Sequence, residues 1–168
     1  ESPLSITLIQ GVSRGERMDY TVQKAVELGV TKIIPLLSER CTVKLPGERA
    51  AKRRDHWQKV VMSACEQCGR NRVPGVEKPI PFAELADYNA HGVRLMLDHR
   101  QALRLNDVAL DGGAVTLLVG PEGGFSAHEL EQARQFGFQG IRLGPRVLRT
   151  ETAALTAISV MQALAGDI

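Results

Sequence analysis

A short apolar strand in the second half of the chain restricts the fold more than any other segment. Residues 114–119 (AVTLLV) are apolar without alternation, as expected for a strand that is covered on both faces. Strands of this kind are typical of parallel sheets, whose neighbouring strands are connected through helices. Whether strands and helices alternate along the rest of the chain is therefore the next question.

The hydrophobic periodicity of the other segments supplies this alternation. We predict strands at residues 4–9, 31–37, 93–98 and 139–143, and helices at residues 16–28, 48–68, 82–87, 126–136 and 151–164. Glycines and prolines predict a loop with at most a short strand at residues 69–81. Pro35 predicts a strand end or a bulge, because proline cannot donate to the hydrogen-bond ladder. The expected fold is α/β, with a mostly parallel sheet flanked by helices.

Composition excludes several classes of protein. A chain of 168 residues suits one domain, and its 43% apolar content is enough for a hydrophobic core. The formal charge of +2 permits RNA binding without indicating it. Cys41, Cys65 and Cys68 form no disulfide framework, which favours a reducing, cytoplasmic location. The Cys65–Cys68 pair lacks a second pair, so no metal is expected, and no apolar run is long enough for a membrane span.

A glycine-rich loop follows the strand at residues 114–119. It reads VGPEGGFS at residues 119–126, and a capping box of Ser126 and Glu129 indicates that a helix begins directly after it. Glycines let a backbone approach a ligand closely, and α/β sheets bind ligands at the carboxyl ends of their strands. The loop matches neither phosphate-binding pattern. Glu122 would repel phosphate and favours a ligand with hydroxyls, an amino group or a positive centre.

A second unusual loop follows the last predicted strand and reads LGPRVLRTETA at residues 143–153. Arg146 and Arg149 could simply be solvated, and Glu151 could only complement the dipole of the helix that begins there. Both loops follow strands of one sheet, however, so we expect them to line one shared pocket.

These two loops carry a resemblance to a known family. LVGPEGGFSAHE and LGPRVLRTETA resemble the signature of the SPOUT methyltransferase superfamily, in particular the family that methylates a uridine at N3 in 16S ribosomal RNA. QKAVELGVTKIIPLLSERC and ACEQCGRNRVP are also similar to that family, so the match covers nearly the whole chain. The resemblance implies S-adenosyl-L-methionine as the cofactor, a C-terminal trefoil knot and a homodimer. Residues 1–168 correspond to the catalytic domain, and the family's N-terminal β-barrel RNA-binding domain is not found in them.

The resemblance also implies roles for individual residues. Arg149 is expected to face the uridine, and Glu151 is the weaker candidate for a base or an orienting group. Arg70 and Arg72 form a basic pair suited to RNA phosphates, although a solvated turn explains them equally well. The positions expected to contact the cofactor share the strand ends and the two loops: Leu97, Gly120, Glu122, Leu143, Gly144 and Leu148.

Three alternatives remain open at this point. Another SPOUT reaction, such as ribose 2′-O methylation, would use the same pocket. A non-catalytic RNA-binding or ribosome-assembly module would not bind S-adenosylmethionine. A nucleotide-binding α/β enzyme is disfavoured by the missing phosphate motifs. The expected partners are the small ribosomal subunit with its RNA and a second copy of this chain.

Overall fold

Strands and helices alternate through the chain in a computed structural model that describes residues 1–88, 92–110 and 113–168. The strands are β1 (Ser5–Gly11), β2 (Val30–Leu37), β3 (Gly75–Val76), β4 (Ile80–Pro81), β5 (Val93–Leu97), β6 (Ala114–Val119) and β7 (Gln139–Ile141). The helices are α1 (Glu16–Glu27), α2 (Glu48–Cys68), α3 (Ala127–Gln135) and α4 (Thr150–Ala165). Two short 3-10 helices cover Phe82–Ala86 and Leu105–Asp107.

All of these strands belong to one sheet, in which every described pairing is parallel. The order is β3-β2-β1-β6-β5-β7, and β4 also pairs with β2. The predicted α/β architecture with a mostly parallel sheet is therefore confirmed. Because the strands run in one direction, their carboxyl ends share one edge of the sheet, where loops from different parts of the chain meet.

Helices cover both faces of the sheet, as the apolar strands require. Successive side chains on a strand point to opposite faces, so Leu8 and Leu117 pack in one cluster with α1, α2 and α4. Ile9 and Leu118 pack in a second cluster with α3 and the first 3-10 helix. The continuous apolar pattern of β6 follows from burial on both sides.

Pro35 corrects one expectation from the sequence. It lies inside β2, paired with Gln10 of β1, and not at a strand end or in a bulge. On the other side of β2, β3 pairs with Lys32 and Ile33, while β4 begins pairing only at Leu36. Pro35 thus lies at the gap between β3 and β4. No neighbouring strand there needs a hydrogen bond from the N–H group that proline lacks.

Other differences from the predicted elements are small. The last strand ends at Ile141, not at residue 143, and the segment predicted as a helix at 82–87 is a 3-10 helix. Cys65 is buried whereas Cys68 is exposed. Within the described ranges, no three histidine, cysteine or acidic side chains are grouped so as to hold a metal ion. None of the helices described is both long and apolar enough to cross a membrane.

Candidate functional site

A cavity of about 310 Å³ lies at the carboxyl ends of β5, β6 and β7. Its walls come from the loops that follow these three strands, from the first turn of α4 and from Arg40 in the loop after β2. Ligand sites of α/β sheets lie at this edge, and the volume falls at the lower end of small-molecule sites. The cavity is therefore the candidate functional site.

The glycine loop, residues 119–126, forms one wall and packs directly against the end of β1. A Cβ added to Gly11 would lie 2.4 Å from the backbone nitrogen of Pro121. Phe125 is buried and makes an edge-to-face contact with Phe82, with ring centroids 5.5 Å apart. The loop is fixed by packing at both of these points. Its capping box is confirmed, because the Ser126 hydroxyl accepts from the Glu129 backbone N–H.

The arginine segment, residues 143–151, forms the opposite wall and is joined to the glycine loop by one side chain. The Thr150 hydroxyl donates to the backbone carbonyl of Gly120 at 2.6 Å and accepts from the Gln10 side-chain amide at 2.9 Å. Gln10 is fully buried, and Thr150 nearly so. Two loops that are 30 residues apart along the sequence are thereby held together, as the sequence predicted.

Glu122 lines the cavity and connects the glycine loop to α1. Its carboxylate accepts from the Arg14 backbone N–H at 2.9 Å and pairs with Arg17 at 3.2 Å. Burial raises the pKa of Glu122, but the hydrogen bonds from the Arg14 and Glu122 backbone and from Arg17 outweigh it, so the pKa lies below its ordinary value. The loop therefore presents an ionised carboxylate.

Asp98 places a second carboxylate at the cavity, directly after β5. It is 6% exposed and accepts from Arg100 and from the Gln101 side chain, at 2.9 and 2.7 Å. Burial raises its pKa, yet these hydrogen bonds and the Arg100 charge lower it further, so Asp98 is ionised. Buried carboxylates persist in this form only when they are well paired.

Six of the sequence-predicted site residues line this one cavity: Leu97, Gly120, Glu122, Leu143, Gly144 and Leu148. Arg149 and Glu151 lie beside it but are not among its lining residues. Arg149 is the exposed N-cap residue of α4. One carboxylate oxygen of Glu151 is buried without a hydrogen-bond partner in the described structure. As catalytic groups, both residues stay predictions.

Arg70 and Arg72 are not brought to the cavity. The Arg70 guanidinium donates to the backbone carbonyls of Val26 and Val30, both at 2.8 Å, and pairs with Glu1. Val30 begins β2, so Arg70 lies at the amino end of the parallel sheet, opposite the cavity. Its contacts hold the α1–β2 turn. Arg72 is exposed at the same end, and both stay predictions as RNA contacts.

Sequence reasoning missed several residues of the site, among them Gln10, Asp98 and Arg40. Gln10 and Asp98 occupy strand ends that give no sequence signal beyond a polar residue beside an apolar run. Arg40 comes from a loop far away in sequence, yet its guanidinium donates to the Gly123 carbonyl at 3.2 Å. Only the parallel sheet brings these positions together. The polar residue directly after each apolar strand was the signal that could have identified Asp98.

The chemistry of the cavity fits a ligand that carries both signs of charge and an apolar part. Asp98 and Glu122 supply carboxylates that are each paired with an arginine, four arginine side chains line the walls, and so do apolar side chains such as Leu97 and Phe125. A Cβ on Gly144 would meet no atom within 4 Å, so the backbone is open to a ligand there. These features suit a sulfonium-containing nucleoside that also carries a carboxylate.

Comparison with protein families gives a match over almost the whole chain. The family described as RNA methyltransferase domain matches residues 1–162. A curated relative, the ribosomal RNA small subunit methyltransferase E of Buchnera aphidicola subsp. Schizaphis graminum, is 40% identical over 171 residues. The alignment covers 100% of this chain and 69% of that relative.

Two solved structures are also similar to this chain. The first is a ribosomal RNA small subunit methyltransferase E from Neisseria gonorrhoeae bound to S-adenosyl methionine, with 51% identity and a TM-score of 0.93. The second is a putative methyltransferase from Legionella pneumophila in complex with the same cofactor, with 45% identity and a TM-score of 0.95. In each case 100% of this chain and 69% of the solved chain are covered.

Proposed function

The chain belongs to the RNA methyltransferase domain family, and we propose that it methylates N3 of a uridine in small-subunit ribosomal RNA, with S-adenosylmethionine as the methyl donor. One observation carries the proposal. The two loops that resemble the methyltransferase signature meet at a single cavity and are joined there by the Thr150–Gly120 hydrogen bond. Relatives of the same family were crystallised with this cofactor.

S-adenosylmethionine supplies an electrophilic methyl group when it is bound. Leu97, Leu143 and Leu148 would enclose its apolar parts. The backbone at Gly120 and at Gly144, where no side chain intervenes, would contact it closely. Asp98 and Glu122 provide the negative charge that suits its cationic groups. The chain then needs no nucleophile of its own, and its residues serve to orient the substrate and to exclude water.

The uridine requires a different contribution, because its N3 carries a proton. A cation near O2 and O4 would stabilise the charge that develops when this proton leaves. We assign this role to Arg149, which is exposed at the start of α4 beside the cavity mouth. Glu151 is the second candidate, as proton acceptor or as the group that orients Arg149. Its buried carboxylate oxygen lacks a partner in the described structure.

Four further expectations remain part of this proposal. A homodimer is supported by the apolar character of α4, where Leu164 is 52% exposed. A cytoplasmic location is consistent with action on ribosomes. The C-terminal trefoil knot stays a prediction from the resemblance, and residues 1–168 are interpreted as one catalytic domain.

The decisive experiment combines cofactor binding with location of the methyl group. Calorimetry with S-adenosylmethionine should give saturable binding at one site per chain. Unmodified small ribosomal subunits should gain one methyl group, and mass spectrometry of nuclease fragments should place it on a uridine base. A methyl on ribose would establish the 2′-O alternative. Absence of cofactor binding would favour a non-catalytic RNA-binding module.

A further inference from the structure

The positive charge at the cavity exceeds what the proposed cofactor can use. Four arginines line it, namely Arg40, Arg100, Arg142 and Arg146, against the carboxylates of Asp98 and Glu122. S-adenosylmethionine itself carries two positive groups and one carboxylate. Arg100 is paired with Asp98, and one cofactor carboxylate does not require the three other arginines, so these remain available to a second ligand that is anionic.

Arg40 lies on a turn whose backbone is fixed by hydrogen bonds on both sides of it. The backbone N–H of Glu39 donates to the Glu129 carboxylate at 2.8 Å, and the Cys41 N–H donates to the Ser38 carbonyl at 3.0 Å. Glu129 is 1% exposed, and its other oxygen accepts from Ser126 in the capping box. One buried carboxylate therefore anchors both the start of α3 and the turn that carries Arg40.

This turn places Arg40 over the glycine loop. A Cβ on Gly123 would lie 3.0 Å from the Arg40 Cβ, and the Arg40 guanidinium reaches the Gly123 carbonyl at 3.2 Å. Arg40 is exposed and, within the described ranges, forms no ion pair. The remaining N–H donors of its planar fork can therefore be offered to an anion at the mouth of the cavity.

We propose that Arg40 binds a backbone phosphate of the RNA substrate at the cavity mouth, next to the nucleotide that enters the site. This inference rests on the proposed function and adds a contact that the sequence did not reveal. A phosphate contact fixes the position of the RNA without reading its sequence. Because the turn is held by Glu129, little backbone ordering is needed when the RNA binds.

The test compares Arg40→Gln with Arg53→Gln, which removes the same charge from an exposed position on α2. RNA affinity is measured by filter binding to a small-subunit ribosomal RNA transcript between 50 and 200 mM salt, roughly the range over which phosphate contacts are lost. Arg40→Gln should weaken binding about five- to tenfold and lower the salt slope by about one. Arg53→Gln should stay within about twofold of the unchanged chain, and Arg40→Lys should retain the salt slope.

Cofactor affinity separates this inference from its alternatives. Because Arg40 also donates to the Gly123 carbonyl of the glycine loop, calorimetry should show a loss of S-adenosylmethionine affinity in Arg40→Gln that is clearly smaller than the loss of RNA affinity. If cofactor affinity falls as much as RNA affinity, Arg40 only supports the glycine loop or holds the cofactor's carboxylate, and the inference is overturned. Unchanged RNA affinity, or no RNA binding by the unchanged chain, also overturns it. The proposed function fails separately, if the unchanged chain neither binds the cofactor nor transfers a methyl group.

Discussion

The two loops that form the cavity differ in how firmly the rest of the molecule holds them. In the glycine loop, Glu122 contacts Arg14 and Arg17, and Phe125 is buried. In the arginine segment, Arg146, Val147 and Arg149 are exposed, with Val147 at 73%. Thr150 is the hydrogen-bonded residue where the two loops meet.

This difference suits different roles for the two walls, with cofactor binding at the glycine loop and RNA contact at the arginine segment. A small cofactor requires a binding site that is already formed, because any rearrangement on binding would reduce its affinity. A large RNA substrate requires side chains that can reach outward from the mouth. We therefore expect changes at the supports of the glycine loop to act on cofactor affinity, and changes in the exposed arginine segment to act on turnover.

The largest effect is expected from Arg149→Ala, which tests the exposed wall. Turnover should fall about 10²- to 10³-fold, as when one group that stabilises developing charge is removed. Cofactor affinity from calorimetry should remain within about twofold, since this side chain does not line the cavity. Arg149→Lys should recover part of the activity. Unchanged turnover in Arg149→Ala would remove Arg149 from the mechanism.

Gly11→Ala should have the next largest effect, because it tests the packing beneath the glycine loop. The added methyl would lie 2.4 and 2.6 Å from the Pro121 nitrogen and Cδ, and 2.8 Å from the Gly120 carbonyl carbon. None of these atoms can rotate away, so the free energy of unfolding should drop by about 3 kcal/mol, and cofactor affinity should drop with it.

The control for this change is Gly75→Ala in β3, where a Cβ meets nothing within 4 Å. Denaturant unfolding and calorimetry should give values close to those of the unchanged chain. Equal losses of stability and of cofactor affinity at Gly11 and Gly75 would show that the contact between β1 and the glycine loop does not determine the shape of the cofactor site.

Thr150→Val tests the bond between the two walls and should have a moderate effect. It removes the partner of the Gly120 carbonyl and one of the two acceptors of the buried Gln10 amide, which keeps its bond to the Gly11 carbonyl, so the free energy of unfolding should fall by about 1–2 kcal/mol. Cofactor affinity should decrease about tenfold. Thr150→Ser retains the hydroxyl and should restore both values, while Thr152→Val, at an exposed position of the same turn, should change neither.

Glu122→Gln should have the smallest effect, because the ion pair with Arg17 is partly exposed. Such pairs contribute about 0.2–1 kcal/mol, so cofactor affinity should change only a few-fold. The pKa of Glu122 is lowered in the folded state. Its stabilising contribution is therefore complete above the ordinary glutamate pKa and is lost as the pH falls through the lowered folded value.

Urea unfolding from neutral to acidic pH checks this dependence. The difference in unfolding free energy between Glu122→Gln and the unchanged chain should be largest near neutral pH and should shrink in acid. A difference that does not vary with pH would show that the carboxylate charge makes no contribution to holding the loop.

Much of the fold could be predicted from local pattern. The predicted bounds of α2 and β6 agree with the structure. An amphipathic helix gives apolar residues at helical spacing, and a strand buried on both faces gives a continuous apolar run. The prediction for Pro35 was wrong because a proline is tolerated inside β2 only at the gap between β3 and β4. The sequence allowed at most one short strand at residues 69–81 and did not show where it would pair. The six lining residues predicted from the resemblance were found at one cavity because strand ends collect at one edge of a parallel sheet.

The sequence by itself determined the parallel α/β sheet, the glycine loop and the arginine segment, since these depend on periodicity and on residues adjacent along the chain. The tertiary structure alone decided that Gln10 supports Thr150, that Arg70 holds the α1–β2 turn and that Arg40 reaches Gly123. These contacts join residues about 40–140 positions apart. Their partners are set by strand order, which no local pattern of polar residues encodes.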